Sequence, residues 1–116
     1  MAASPDYTET KSGLKYRILR EGKGKKPTAS DKVRVHYKGT LDDGTEFDSS
    51  YKRGEPIDFP LRGVIAGWTE GLQYVAEGGL IELEIPGELA YGKKSPGSGI
   101  PPNATLHFTV ELLEVL

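Results

Sequence analysis

Residues Gly63 to Val75 read GVIAGWTEGLQYV, and they hold the only Trp of the chain. Trp68, Leu72 and Val75 fall at positions i, i+4 and i+7, the spacing of one face of a helix, and Glu77-Gly78-Gly79 supplies a stop. A helix this short does not hold itself together in water, so its apolar stripe must lie against something else. The flanking sequence says what. In GLKYRIL, Leu14, Tyr16 and Ile18 alternate with Lys15 and Arg17, and in KVRVHYKG, Val33, Val35 and Tyr37 alternate with Arg34, His36 and Lys38. LIELEIPG sets Ile81, Leu83 and Ile85 against Glu82 and Glu84, and TLHFTVELLEV puts Leu106, Phe108, Val110 and Leu112 on one face. Asp43-Gly44 is a turn signal, so Phe47 starts a strand that folds back on the one holding Tyr37. About five antiparallel strands around one short helix make an α+β domain.

A chain of 116 residues has room for one core. Its 15 glycines and 8 prolines indicate many turns and short strands. A formal charge of −2 argues against nucleic acid or an anionic membrane as the main partner, and the basic run Arg20 to Lys26 reads as a solvated loop. With no Cys there are no disulfides, no thiol nucleophile and no Cys-ligated metal. No apolar run approaches the roughly 18 residues of a membrane span. Residues 1–12 have no apolar segment of the kind a secretory signal carries and read as a flexible leader, with the domain proper over 13–116. Two connections, 49–56 and 86–104, exceed what a tight turn needs, and the second holds apolar side chains, as functional loops do.

The usual catalytic equipment is missing. His36 and His107 are out of phase with their strands' apolar residues and should face away from the core. Asp42, Asp43, Glu46 and Asp48 lack the spacing of a calcium loop, and GKGKKP is not a phosphate loop. Aromatic and aliphatic groups instead gather near the loops: Tyr37, Phe47, Ile57, Phe59, Val64, Ile65, Trp68, Tyr91, Ile100 and Phe108. Each alone reads as core, while together they suggest an apolar concavity with a few polar groups at its edge.

VRVHYKGTLDDGTEFDSS, GVIAGWTEGL, ELAYG and GIPPNATLHFTVELLEV, in that order, resemble the signatures of the FKBP family, the macrolide-binding peptidyl-prolyl cis-trans isomerases. The likeness runs from about Gly13 to Leu116, and TKSGLKYRIL and RGEPIDFPL look like the bacterial Mip-like branch. The resemblance implies a strongly bent antiparallel sheet wrapped across the helix, with the pocket between them. It makes Trp68 the pocket floor, with Gly67 letting the backbone turn so that the indole lies flat. It makes Tyr37, Phe47, Val64, Ile65 and Phe108 walls, with Ile57 and Phe59 beside them and Ile100 in a flap above. Tyr91 and the Ile65 N–H become donors to a ligand carbonyl. Asp48 becomes an ionised carboxylate at the pocket edge, paired with Arg53 and accepting from Tyr37.

The implied activity is rotation about Xaa-Pro bonds in peptides and unfolded proteins, with Asp48, Tyr91, Trp68, Phe108 and Tyr37 carrying it. It needs no cofactor and no metal, and FK506- or rapamycin-type macrolides would inhibit it. The other reading is a proline-binding chaperone or scaffolding module with little turnover. Ile57 stands where an aromatic is common, the run Leu61 to Val64 is short, and Gly99 precedes Ile100 where a second aliphatic is usual, so macrolide binding should be weakened more than isomerisation. Mip-like relatives often carry a helical dimerisation segment ahead of this domain. Without one here the expectation is a monomer or an excised domain. The expected compartment is the cytoplasm, or the periplasm or cell surface if an export signal has been removed.

Overall fold

The structure is a computed structural model, and it describes residues 7–93 and 100–116. The sheet is antiparallel, with strands β1 (Thr8–Glu9), β2 (Lys15–Arg20), β3 (Lys32–Thr40), β4 (Glu46–Ser49), β5 (Ile57–Pro60), β6 (Leu80–Ile85) and β7 (Leu106–Val115). The order across it is β1-β2-β6-β7-β3-β4, with β5 also on β3. The alternation in the sequence survives intact: Val33, Val35 and Tyr37 of β3, Ile81, Leu83 and Ile85 of β6, and Leu106, Phe108, Val110 and Leu112 of β7 are all buried. The opposite face carries charge pairs between neighbouring strands, such as Arg17 with Glu82 at 2.5 Å and Arg34 with Asp58 at 2.9 Å. The pairing register shifts between Ile18 and Arg20, Arg34 and Val35, and Gly39 and Thr40, and such irregularities bend a sheet. Leu19 falls in the first of them and is exposed, outside the alternation of its strand.

The strand count exceeds the sequence expectation at two places. β5, IDFP, is four residues long and ends in a proline, which suits an edge position but gives little periodic signal. β1 lies within residues 1–12, the stretch read as a leader, and pairs with β2 through Thr8 opposite Tyr16. Ser12 also hydrogen-bonds Glu70 on the central helix, so residues 7–12 are tied to the domain. Residues 1–6 lie outside the described residues, as do 94–99, which include Gly99 and the middle of the long second loop.

The helix read from GVIAGWTEGLQYV is α2 (Ala66–Gly71), and it tightens into a 3₁₀ turn over Leu72–Tyr74. Trp68, Leu72 and Val75 are buried, as the spacing requires. Gly67 has a different task from the one expected. It does not adopt positive φ. A Cβ on Gly67 would sit 2.6 Å from the Ile85 side chain, and one on Gly71 would sit 2.6 Å from Leu83. The two glycines are one helical turn apart and let the helix backbone lie directly on β6. A further single turn, α1 (Ser50–Arg53), follows β4. It is capped by the Ser49 side chain on the Lys52 N–H and closed by Gly54 at φ 75°. Among the described residues, no helix is long and apolar enough to cross a membrane.

Candidate functional site

β3, β4, β5, β7 and α2 converge on a cavity of about 280 Å³. Tyr37, Phe47, Asp48, Phe59, Gly63, Val64, Ile65, Trp68, Tyr91 and Phe108 line it. Its base is the Trp68 ring. The rings of Tyr37, Phe59 and Phe108 stand at 86°, 81° and 88° to that indole, with centroids 5.3, 5.4 and 5.3 Å away. Phe47 meets Phe108 at 90°, 5.6 Å off. Edge-to-face contacts of this kind are favoured by the ring quadrupoles. Gly39 makes the last pair possible, since a Cβ there would fall within 3 Å of both Phe47 and Phe108. The indole Nε1–H is buried without a hydrogen-bond partner among the described residues. Such a group normally finds a partner, and leaving it alone costs about 1–3 kcal/mol. That donor is sealed from solvent, and the side chains around the cavity are mostly aromatic and aliphatic.

Polar groups lie at one side. Asp48 accepts from the Tyr37 hydroxyl, from Arg53 Nη1 at 2.6 Å and from the Ser49 N–H at 2.8 Å. Arg53 Nη2 also donates to the Tyr37 oxygen at 3.3 Å. Burial pulls the Asp48 carboxyl upward. The bonds from Tyr37 and Arg53, the Arg53 charge and the Ser49 N–H outweigh it and hold the group below the usual carboxylate range. Burial first, then the bond to Asp48, pushes the Tyr37 phenol up, so at neutral pH the pair is phenol and carboxylate. Tyr91 is 41% exposed at the rim, and among the described residues its hydroxyl has no partner. Ile65 caps α2, and its carbonyl accepts from the Trp68 and Thr69 N–H groups. Its own N–H is unengaged among the described residues.

Of the residues named from sequence, all but Arg53, Ile57 and Ile100 line the cavity. Arg53 sits behind it, on Asp48. Ile57 packs partly buried against the core. The wall at that corner is Phe59, two residues along β5 on the same face. Ile100, expected in a flap, is 5% exposed and packs in the core cluster, and the loop residues 94–99 before it lie outside the described residues. Sequence reasoning missed Gly63, which lines the cavity beside Val64, and no pattern in the chain signals it. The histidines lie elsewhere. His36 stacks on Tyr51 at 4.6 Å with Nδ1 2.9 Å from Ser50 Oγ, and His107 meets Asp42 at 2.6 Å. Among the described residues, no cluster of three or more His, Asp or Glu could hold a metal ion.

The sequence and the fold both recur in known proteins. The family described as FKBP-type peptidyl-prolyl cis-trans isomerase matches residues 23–113. The chain is 55% identical over 115 residues to the FKBP-type 22 kDa peptidyl-prolyl cis-trans isomerase of Escherichia coli K12, covering 99% of this chain and 56% of that protein. It is 61% identical over 104 residues to the FKBP-type peptidyl-prolyl cis-trans isomerase FkpA of the same strain, covering 90% and 38%. It thus spans about half or less of the length of these curated relatives. The crystal structure of FkpA from Escherichia coli superposes with a TM-score of 0.91 at 57% identity, over 95% of this chain and 51% of that one. A peptidyl-prolyl cis-trans isomerase from Pseudomonas syringae pv. tomato gives a TM-score of 0.88 at 40% identity, over 97% and 83%. In sequence and in fold alike, the chain belongs to the FKBP-type peptidyl-prolyl cis-trans isomerase family.

Proposed function

We propose that this chain accelerates cis-trans rotation about Xaa-Pro bonds in peptides and unfolded proteins. One observation carries the reading: a cavity lined mostly by apolar side chains, with the Trp68 indole walled by upright rings. Amide resonance sets a barrier of about 18–20 kcal/mol to the rotation. An amide twisted out of plane has lost that resonance and much of its charge separation, so an apolar cavity suits it better than water does. A ~10⁵-fold acceleration needs roughly 7 kcal/mol of stabilisation selective for the twisted form. The prolyl ring lies on Trp68 between Tyr37, Phe59 and Phe108 while the preceding carbonyl swings. Tyr91 and the Ile65 N–H, unengaged among the described residues, are donors for the ligand's carbonyls. Asp48 has no proton to remove. It fixes Tyr37 and Arg53 and sets the field along one wall.

The working unit on this reading is residues 13–116 together with the paired strand β1, acting as a monomer in the cytoplasm, which light scattering and cell fractionation check. FK506- or rapamycin-type macrolides occupy the same cavity and compete with substrate. The deciding experiment is exchange NMR on an Ala-Xaa-Pro-Phe peptide with a catalytic amount of protein. Faster cis-trans exchange, abolished by the macrolide, is the expected result. Peptide peaks that shift with no gain in exchange rate would identify a proline-binding module instead.

A further inference from the structure

The edge of β3 that faces away from β7 is shared by two strands. β5 pairs with it from Lys32 to Val35, and β4 from Lys38 to Thr40. Tyr37 falls between them, where neither strand offers its backbone a partner. Ser50, the first residue of α1, fills the place with its side chain. It is 0% exposed, and its Oγ accepts from the Tyr37 N–H at 2.7 Å and lies 3.3 Å from the Tyr37 carbonyl oxygen. His36 Nδ1 lies 2.9 Å from Ser50 Oγ as well. A hydroxyl has one proton to give and two lone pairs to fill. All three contacts are met together when Ser50 donates to the Tyr37 carbonyl and accepts from the Tyr37 N–H and from an Nδ1–H of His36.

One buried hydroxyl thus joins β3 at Tyr37 to the start of α1. Both sides of that joint end on Asp48, because Tyr37 reaches it from β3, and Arg53 from the last position of α1. We propose that Ser50 is a positioning residue of the prolyl site, holding Tyr37 and Arg53 in register on the Asp48 carboxylate. The inference rests on the isomerase reading above. Ser50 touches no substrate, and its effect passes through the Tyr37 hydroxyl. Displacement of a wall by a fraction of an ångström is enough to change rate without unfolding the chain.

The test is a double-mutant cycle on the full chain with Ser50→Ala and Tyr37→Phe, read by peptide exchange. Ser50→Ala alone should lower kcat/KM about tenfold. In the Tyr37→Phe background the same change should cost less than about twofold, since coupled residues are not additive. Ser50→Thr, which keeps the hydroxyl, should recover most of the rate. Ile81→Val, in the core away from the cavity, should leave the rate unchanged when it is matched for loss of stability. Equal losses in both backgrounds, or no loss from Ser50→Ala, would overturn the proposal. Should Ser50→Ala not fold, Ser50→Cys keeps the volume with a weaker hydrogen bond and takes its place in the cycle. A second readout needs no turnover. The Tyr37 hydroxyl proton, held on Asp48, should give a slowly exchanging downfield NMR signal that is lost in the Ser50 variant. An inactive wild-type chain would sink the isomerase reading, and that signal would still decide the role of Ser50.

Discussion

Within a single turn, α2 meets the sheet in two opposite ways. Toward β6 there is no space: Gly67 and Gly71 lie where a Cβ would come 2.6 Å from Ile85 and Leu83. Toward β3, β5 and β7, one residue further round the helix, Trp68 faces a cavity of about 280 Å³. The same backbone, sheet and core produce both. The difference lies in what stands opposite. Ile85 and Leu83 are flexible aliphatic groups that close onto a bare backbone. Tyr37, Phe59 and Phe108 are rigid plates set nearly upright on the indole, and plates in that arrangement cannot fold down to fill the gap between them. Each edge-to-face pair contributes about 0.5–1.5 kcal/mol beyond its buried area, so collapse would also forfeit favourable contacts. The cavity is a product of stiff walls rather than of loose packing.

That contrast can be broken most directly at its centre. Trp68→Ala should cost about 3–5 kcal/mol in urea unfolding and remove most isomerase activity. Trp68→Phe should keep more of both, because it retains a ring and removes the unpaired indole N–H. Full stability and turnover in the Ala variant would mean that the walls do not stand on this ring. The tight side is probed next. Gly67→Ala should lower stability by about 1–3 kcal/mol through overpacking against Ile85, with peptide exchange slowed as the helix lifts. An unchanged melting midpoint would show that the contact has slack.

A third measurement sharpens the polar corner. The folded pKa of Asp48 lies below its unfolded value near 3.9, so its contribution to stability is present above that value and is lost as pH falls through the folded one. Unfolding followed from about pH 7 down to pH 2 should show this group's effect only below about pH 5, and Tyr37→Phe should reduce it. A change assigned to Asp48 between about pH 5 and 8 would contradict the ionised state described here. The outer face of the sheet should respond least. Asp58→Asn breaks an exposed pair with Arg34 and should change stability by less than about 1 kcal/mol, with activity unaltered and the effect fading in salt.

Long strands were legible because a buried face forces strict alternation, and β3, β6 and β7 each show it over three or more apolar positions. The central helix was legible through Trp68, Leu72 and Val75 for the same reason. β5 and α1 were not. Each is four residues long, too short for a period to register, and each is held by partners far away in the chain. The aromatic walls could be named only because four ordered motifs resemble a family. Composition and spacing gave the rings but not their angles. Ile57 and Ile100 show the limit, since an apolar residue near a pocket and an apolar residue beside it look alike in a sequence. Ser50 shows it more sharply. A serine in a polar loop carries no pattern at all, and its importance comes from a gap in the pairing of β3 that only three dimensions reveal.

The chain has one Trp, and that ring is the base of the cavity. Ultraviolet emission excited at the red edge of protein absorption therefore comes from a single place, the surface on which a guest would rest. A change in intensity or wavelength on mixing reports occupancy without any attached dye. Affinities for peptides and drug-like rings alike can be titrated optically on the unaltered polypeptide.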